Sequence, residues 1–181
     1  MRAHANDSAF PLAPPAAWHA LNMRSDGRVL PDLVETTVLH QLGLIRSDDL
    51  PDIAARWLAA DVVDTESVRM LAGHNAHDPW ALERLLADSV SEARMTVPAT
   101  TDEQQRIAID WVSMRWRDGR DTRWAVATLA RLGETHCDFD LGLFVGLDDE
   151  WSGGWGRLEP HLKADAAAEL DRLLHGEYNR P

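Results

Sequence analysis

One cysteine, one tyrosine and one lysine serve all 181 residues of this chain, and no apolar run approaches the roughly 18 residues that a membrane-spanning helix needs. Each scarcity removes a class of answers. With Cys137 alone, no internal disulfide and no thiolate-rich zinc site can form. The first residues, MRAHANDSAFPLAPPAAW, are polar and interrupted by proline, without the continuous apolar stretch of a signal peptide. A cytoplasmic location and no membrane partner are therefore expected. Of the 18 cationic residues only Lys163 is a lysine. Arginine as the default base, beside many alanines, matches the coding bias of a GC-rich genome and lowers what an arginine cluster says about function. No glycine-rich phosphate loop, HExxH or GxSxG sequence is present, which argues against the common nucleotide, zinc-protease and hydrolase chemistries. No cofactor is expected.

What is present is ordinary in bulk and unusual in detail. Hydrophobic residues make up 45 % and charged ones 27 %, a globular composition long enough for one domain with a real core. Eight tryptophans stand against three phenylalanines, so either indoles fill the core or some are surface anchors. Thirty acidic residues against 18 basic ones leave a formal charge of −12. Phosphate backbones repel such a surface, and no nucleic-acid partner is expected without a local basic patch. The charge favours, and would steer, a basic protein partner.

The apolar spacing is helical nearly throughout. The expected fold is all-α, an irregular bundle of about six to eight helices over 31–181 behind an extended, Pro-containing lead at 1–30. Two halves, 31–94 and 101–176, flank a linker that begins at Met95. After Pro31 come Val34, Val38 and Leu42, stopped by Gly43. Ser47 or Asp48 caps a helix with Pro51 in its first turn and a stripe at Leu50, Ile53, Ala54, Trp57 and Leu58. Thr65 caps a short piece, and Asp78-Pro79 opens the stripe Leu82, Leu85, Leu86, Val90 and Ala93. Thr101 with Gln104 reads as a capping box for a helix apolar on more than one face, hence central. Asp121 caps the next helix and Gly133 stops it. Phe139–Leu147, FDLGLFVGL, reads either as a short strand-like segment or as a short buried helix. SGGWG at Ser152–Gly156 is a flexible loop, and Leu158 to Leu174 form the last helix, ended by Gly176.

Four stretches carry candidate chemistry. RWRDGRDTRW, Arg115–Trp124, sets four arginines beside two tryptophans, as a phosphate grip with stacking platforms does. Its turn signals and the interleaved Asp118 and Asp121 make it instead a corner between helices, with Trp116 and Trp124 in the core. RLGETH holds Arg131 and His136 at the R-x4-H spacing of helical ribonucleases, an arginine for the oxyanion and a histidine for proton transfer. Leu132 and the helix-stopping Gly133 depart from that pattern. His74 and His77 in HNAHD are too few to hold zinc, and the consecutive Asp148, Asp149 and Glu150 match no calcium loop, so no metal is expected. Finally, no Lys or Arg falls between Arg131 and Arg157, where Glu134, Asp138, Asp140, Asp148, Asp149 and Glu150 all lie, together with Phe139, Phe144, Trp151 and Trp155. Carboxylates that steer a cation beside an indole that anchors it are what a surface for a basic partner requires. The competing reading is a solvated acidic loop whose tryptophans fold back on the core.

The stretches AARWLAADVVDTESVRMLAG (Ala54–Gly73), DPWALERLLADSV and, more loosely, LFVGLDDEW (Leu143–Trp151) resemble a group of short helical proteins of GC-rich soil bacteria with no established activity. The shared residues are packing and capping residues. The resemblance implies a small helical partner-binding protein, such as an immunity protein, and carries over no catalytic residue. The expectation is thus a non-enzymatic, acidic, immunity- or antitoxin-like inhibitor that binds a basic protein through Asp138, Asp140, Asp148, Asp149, Glu150, Trp151 and Trp155. The alternatives are a helical enzyme with an acid–base site drawn from Arg131, His136, His74, His77 and Glu134, and a DNA-binding regulator reading through the helix after Asp121.

Overall fold

Pro31 and Asp32 hold the chain extended before α1 (Leu33–Gln41). There the Asp32 carboxylate accepts the Glu35 N–H at 2.8 Å and the Glu35 carboxylate accepts the Asp32 N–H at 2.9 Å. This reciprocal pair satisfies two donors at the helix start that no internal carbonyl can reach. The computed structural model describes residues 30–135 and 140–176. Among them run eight α-helices: α1, α2 (Leu50–Ala59), α3 (Glu66–Ala72), α4 (Pro79–Glu92), α5 (Thr101–Arg117), α6 (Thr122–Thr135), α7 (Gly142–Gly153) and α8 (Glu159–Leu174). The all-α architecture follows from the spacing of the apolar residues.

In the first half α3 packs between α2 and α4, and α1 lies across α4 and against α5. Trp57 of α2 is fully buried, and its indole N–H donates to the Pro31 carbonyl at 2.8 Å, which ties α2 to the entry of α1. In the second half α5 packs on α6 and α8, while α7 lies chiefly on α6. One apolar cluster runs from Leu30 to Leu173 through both halves. With neighbours on three sides α5 is the central helix, which explains its burial on several faces at Ala108, Ile109, Trp111 and Val112.

Several expectations need correction. A 3-10 turn at Ser47–Asp49 precedes α2, so the cap falls on Asp49. The N-cap of α5 is Thr100 rather than Thr101: its hydroxyl accepts the Glu103 N–H at 3.4 Å and donates to the Glu103 carboxylate at 2.8 Å, while Gln104 turns back to the Pro98 carbonyl at 2.8 Å. Gly133 does not end α6, which runs on to Thr135; a Cβ there would come within 2.9 Å of the Leu141 Cβ, so the glycine lets α7 approach. Of the segment 139–147, Phe139 lies outside the described residues, and from Gly142 on the strand-like alternative gives way to α7, because Leu141, Phe144, Leu147 and Trp151 recur at helical spacing and all are buried. Ser152 and Gly153 complete that helix, and Gly154 reverses the chain in the left-handed region at φ 65°.

Candidate functional site

The Arg115–Trp124 corner consumes its own chemistry. Gly119 takes φ 93° at the turn, and the Asp121 carboxylate accepts the Trp124 N–H at 3.3 Å to start α6. Trp111 and Trp124 meet edge to face with centroids 5.9 Å apart, and Trp116 donates to the Thr122 hydroxyl at 3.1 Å. Guanidinium groups lie over three indoles: Arg115 over Trp111 at 5.3 Å, Arg120 over Trp124 at 5.2 Å and Arg123 over Trp151 at 5.8 Å. Trp116 and Trp124 are half-buried against the core rather than fully inside it.

The acidic segment beyond α6 divides into support and surface. Trp151 is 9 % exposed and belongs to the core. Glu150 is engaged by Arg157, whose backbone N–H, Nε and Nη2 reach its carboxylate at 3.1, 3.0 and 2.7 Å, while Arg157 Nη1 pairs with Asp165. These Arg157 bonds hold the Glu150 carboxyl below the usual carboxylate range, and the two carboxylates raise Arg157 in turn. Gly156, at φ 86°, lies so close to Glu150 that a Cβ would come 2.7 Å from its Oε2. The chain from Gly154 to Leu158 is therefore clamped. On it Trp155 is 62 % exposed and Leu158 71 % exposed, with the five-membered ring of Trp155 against Gly153. Asp140 and Asp149 face solvent, Asp148 is half-buried, and among the described residues no salt bridge engages any of the three. A cleft of about 400 Å³ opens beside the clamp between α6, α7 and α8, lined by Asp121, Arg123, Glu150, Arg157, Leu158 and Lys163. Asp138 and His136 lie outside the described residues.

The acid–base candidates among the described residues are not drawn together. Arg131 is exposed and reaches the Gly43 carbonyl at 3.5 Å; His74 stands 3.9 Å from Asp78; Glu134 and His77 are exposed. Among the described residues no three histidine, cysteine or acidic side chains converge as metal ligands. A second cleft, about 420 Å³ between α1 and α4, contains His40 and Glu83, and His40 Nε2 lies 3.0 Å from the Ser47 hydroxyl. A nucleophile–base pair also needs a group to orient the base. Among the described residues none engages the other ring nitrogen of His40.

Sequence reasoning missed the Arg157 clamp, Leu158, and Trp80 at the start of α4, which is 82 % exposed. The Asp32–Glu35 box was readable from its spacing; the clamp was not, because it closes over seven residues through a left-handed turn. No helix among the described residues is long and apolar enough to cross a membrane. No protein-family model, curated protein or solved structure matches the chain.

Proposed function

We propose that this chain is a non-enzymatic, acidic helical protein that binds a basic protein partner and inhibits it, in the manner of an immunity protein or antitoxin. One observation carries the reading. Asp148 and Asp149 sit in the carboxyl-terminal half of α7, whose last turn holds no basic residue, and no salt bridge engages them among the described residues. They stand just before the last turn of α7, beside the helix's negative carbonyl end, and no cation of that turn offsets them. A cationic surface docking on this end would neutralise both the carboxylates and the helix terminus. The exposed Trp155 and Leu158 add the apolar contact that holds a complex once charge has steered it. On this reading the chain belongs with the short helical proteins it resembles, and the acid–base alternative draws no support from the contacts of Arg131, His74, His77 and Glu134.

The test is retention of cationic proteins from the native cell on the immobilised chain. The expected result is a basic protein held at low salt, released as salt rises, and lost when Asp148→Lys and Asp149→Lys are combined. Equal retention by the reversed variant, or no cationic protein retained, overturns the reading.

A further inference from the structure

In the second half of the molecule three indoles lie under guanidinium groups of the same chain, and a fourth, Trp116, is half-buried with its N–H bonded to the Thr122 hydroxyl. Trp111, Trp124 and Trp151 each carry one, from Arg115, Arg120 and Arg123, at 5.2 to 5.8 Å. Trp155 carries none among the described residues, although it is far more open than Trp151, four residues earlier. Nor does it hang loosely. Its five-membered ring rests on Gly153, where any side chain would overlap it, and the loop that bears it is clamped by Arg157 to Glu150 and Asp165. Holding a ring in place beforehand removes part of the ordering cost of binding.

We propose that Trp155 is the seat for an arginine side chain of the basic partner, its guanidinium stacked on the open part of the indole at the carboxyl end of α7. This rests on the basic-partner reading and adds the residue chemistry that the site selects. Charge complementarity favours a cation: the nearby Arg157 and Lys163 are paired with Glu150, Asp165 and Glu159, whereas no salt bridge among the described residues engages Asp148 or Asp149 of α7. Arg157 does not repel the newcomer, since one guanidinium there faces two carboxylates. Shape fixes the residue. A guanidinium is planar and weakly hydrated and stacks on an aromatic ring, whereas an ammonium is compact and keeps its water. Leu158, 71 % exposed, supplies apolar surface for the methylene stem.

The experiment titrates the full chain at low ionic strength with two capped peptides of equal length, oligoarginine and oligolysine. The arginine peptide is expected to bind about fivefold more tightly, as an added cation–π stack gives. Trp155→Ala should bring the two affinities within about twofold of each other with little change for the lysine peptide, and Trp155→Phe should keep most of the preference. Trp80→Ala, a control at an exposed indole away from α7, should leave the preference intact. A preference that survives Trp155→Ala, or that vanishes in Trp80→Ala, overturns the assignment to Trp155 while the basic-partner reading stands. Failure of both peptides to bind overturns both. Trp155 is exposed, so unchanged helix content by circular dichroism confirms that the variants fold.

Discussion

Arginine, carboxylates and tryptophan meet at both the α5–α6 corner and the α7–α8 connection, four arginines at the first and Arg157 alone at the second, and the two places dispose of them differently. At the corner, Arg115 and Arg117 occupy the last turn of α5 and Asp121 the start of α6, each charge where the helix field favours it. There Trp116 and Trp124 are half-buried, and guanidinium groups lie over Trp124 and over the buried Trp111. At the α7–α8 connection Glu150 lies in the last turn of α7, where an uncompensated acid costs about 0.3–1 kcal/mol of helix stability, and Asp148 and Asp149 stand just before it. Arg157 compensates Glu150, while no salt bridge among the described residues engages Asp148 or Asp149. An arginine-rich stretch can therefore be structural, while the acidic one leaves carboxylates that the fold does not pair.

The largest expected effect tests whether Trp151 and Trp155 divide as core and surface. Trp151→Ala should cost about 3–5 kcal/mol in denaturant unfolding, the range for a buried aromatic, and Trp155→Ala less than about 0.5 kcal/mol. Comparable losses at both positions would mean that the connection is core throughout and offers no surface.

A second test separates the stability of the bundle from the charge of the flank by pH. Burial, reinforced by Asp32 on its own helix and Asp110 on α5, raises the Glu35 carboxyl from 4.5 to about 7. A carboxyl raised on folding binds its proton more tightly in the native state, so its stabilising effect is complete below pH 4.5 and is lost as pH rises through 7. The expected fall in unfolding free energy across that window is up to about 3 kcal/mol, and Glu35→Gln should flatten it. Glu150 shifts the other way. Its carboxylate, held low by Arg157, stays ionised in that window, so the clamp and the flank it supports persist. Urea midpoints at several pH values decide this; a flat wild-type profile, or a slope that survives Glu35→Gln, rejects it.

Affinity comes next in size. Combining Asp148→Lys with Asp149→Lys should weaken the basic partner about tenfold or more and reduce the salt dependence of binding, with helix content unchanged. The same complex measured by titration at two ionic strengths checks both statements.

What could be read from the chain was local. Thr65 and Asp78-Pro79 are caps whose partners lie three residues away, and both were legible. The α5 cap slipped by one residue because Thr100 and Thr101 each have a glutamate or glutamine three positions on, and only the turn of Gln104 toward Pro98 decides between them. The choice between strand and helix over 139–147 turned on packing against α6, a tertiary fact. The division between Trp151 and Trp155 depends on the reversal at Gly154 and on Gly153 making room for a ring, neither of which has a periodic signature. Arg157 looked like the end of an acidic window. It is the residue that fixes the window's shape, because the loop folds it back onto Glu150.

The smallest effect belongs to the corner, and it carries the contrast furthest. Arg120→Gln removes the cover from Trp124 and should cost about 0.5–1 kcal/mol of stability, the worth of an exposed cation–π pair. Affinity for the basic partner should change by less than about twofold, since the charge removed lies outside the docking end of α7. Were the corner a phosphate grip, the same change would instead cut retention on a phosphate-bearing column, with a smaller salt slope. The geometry argues for the first outcome because Arg120 already rests on an indole of its own chain, and a phosphate would have to take it from there against a net charge of −12. A drop in phosphate retention without a drop in stability would reverse the roles given to the two connections.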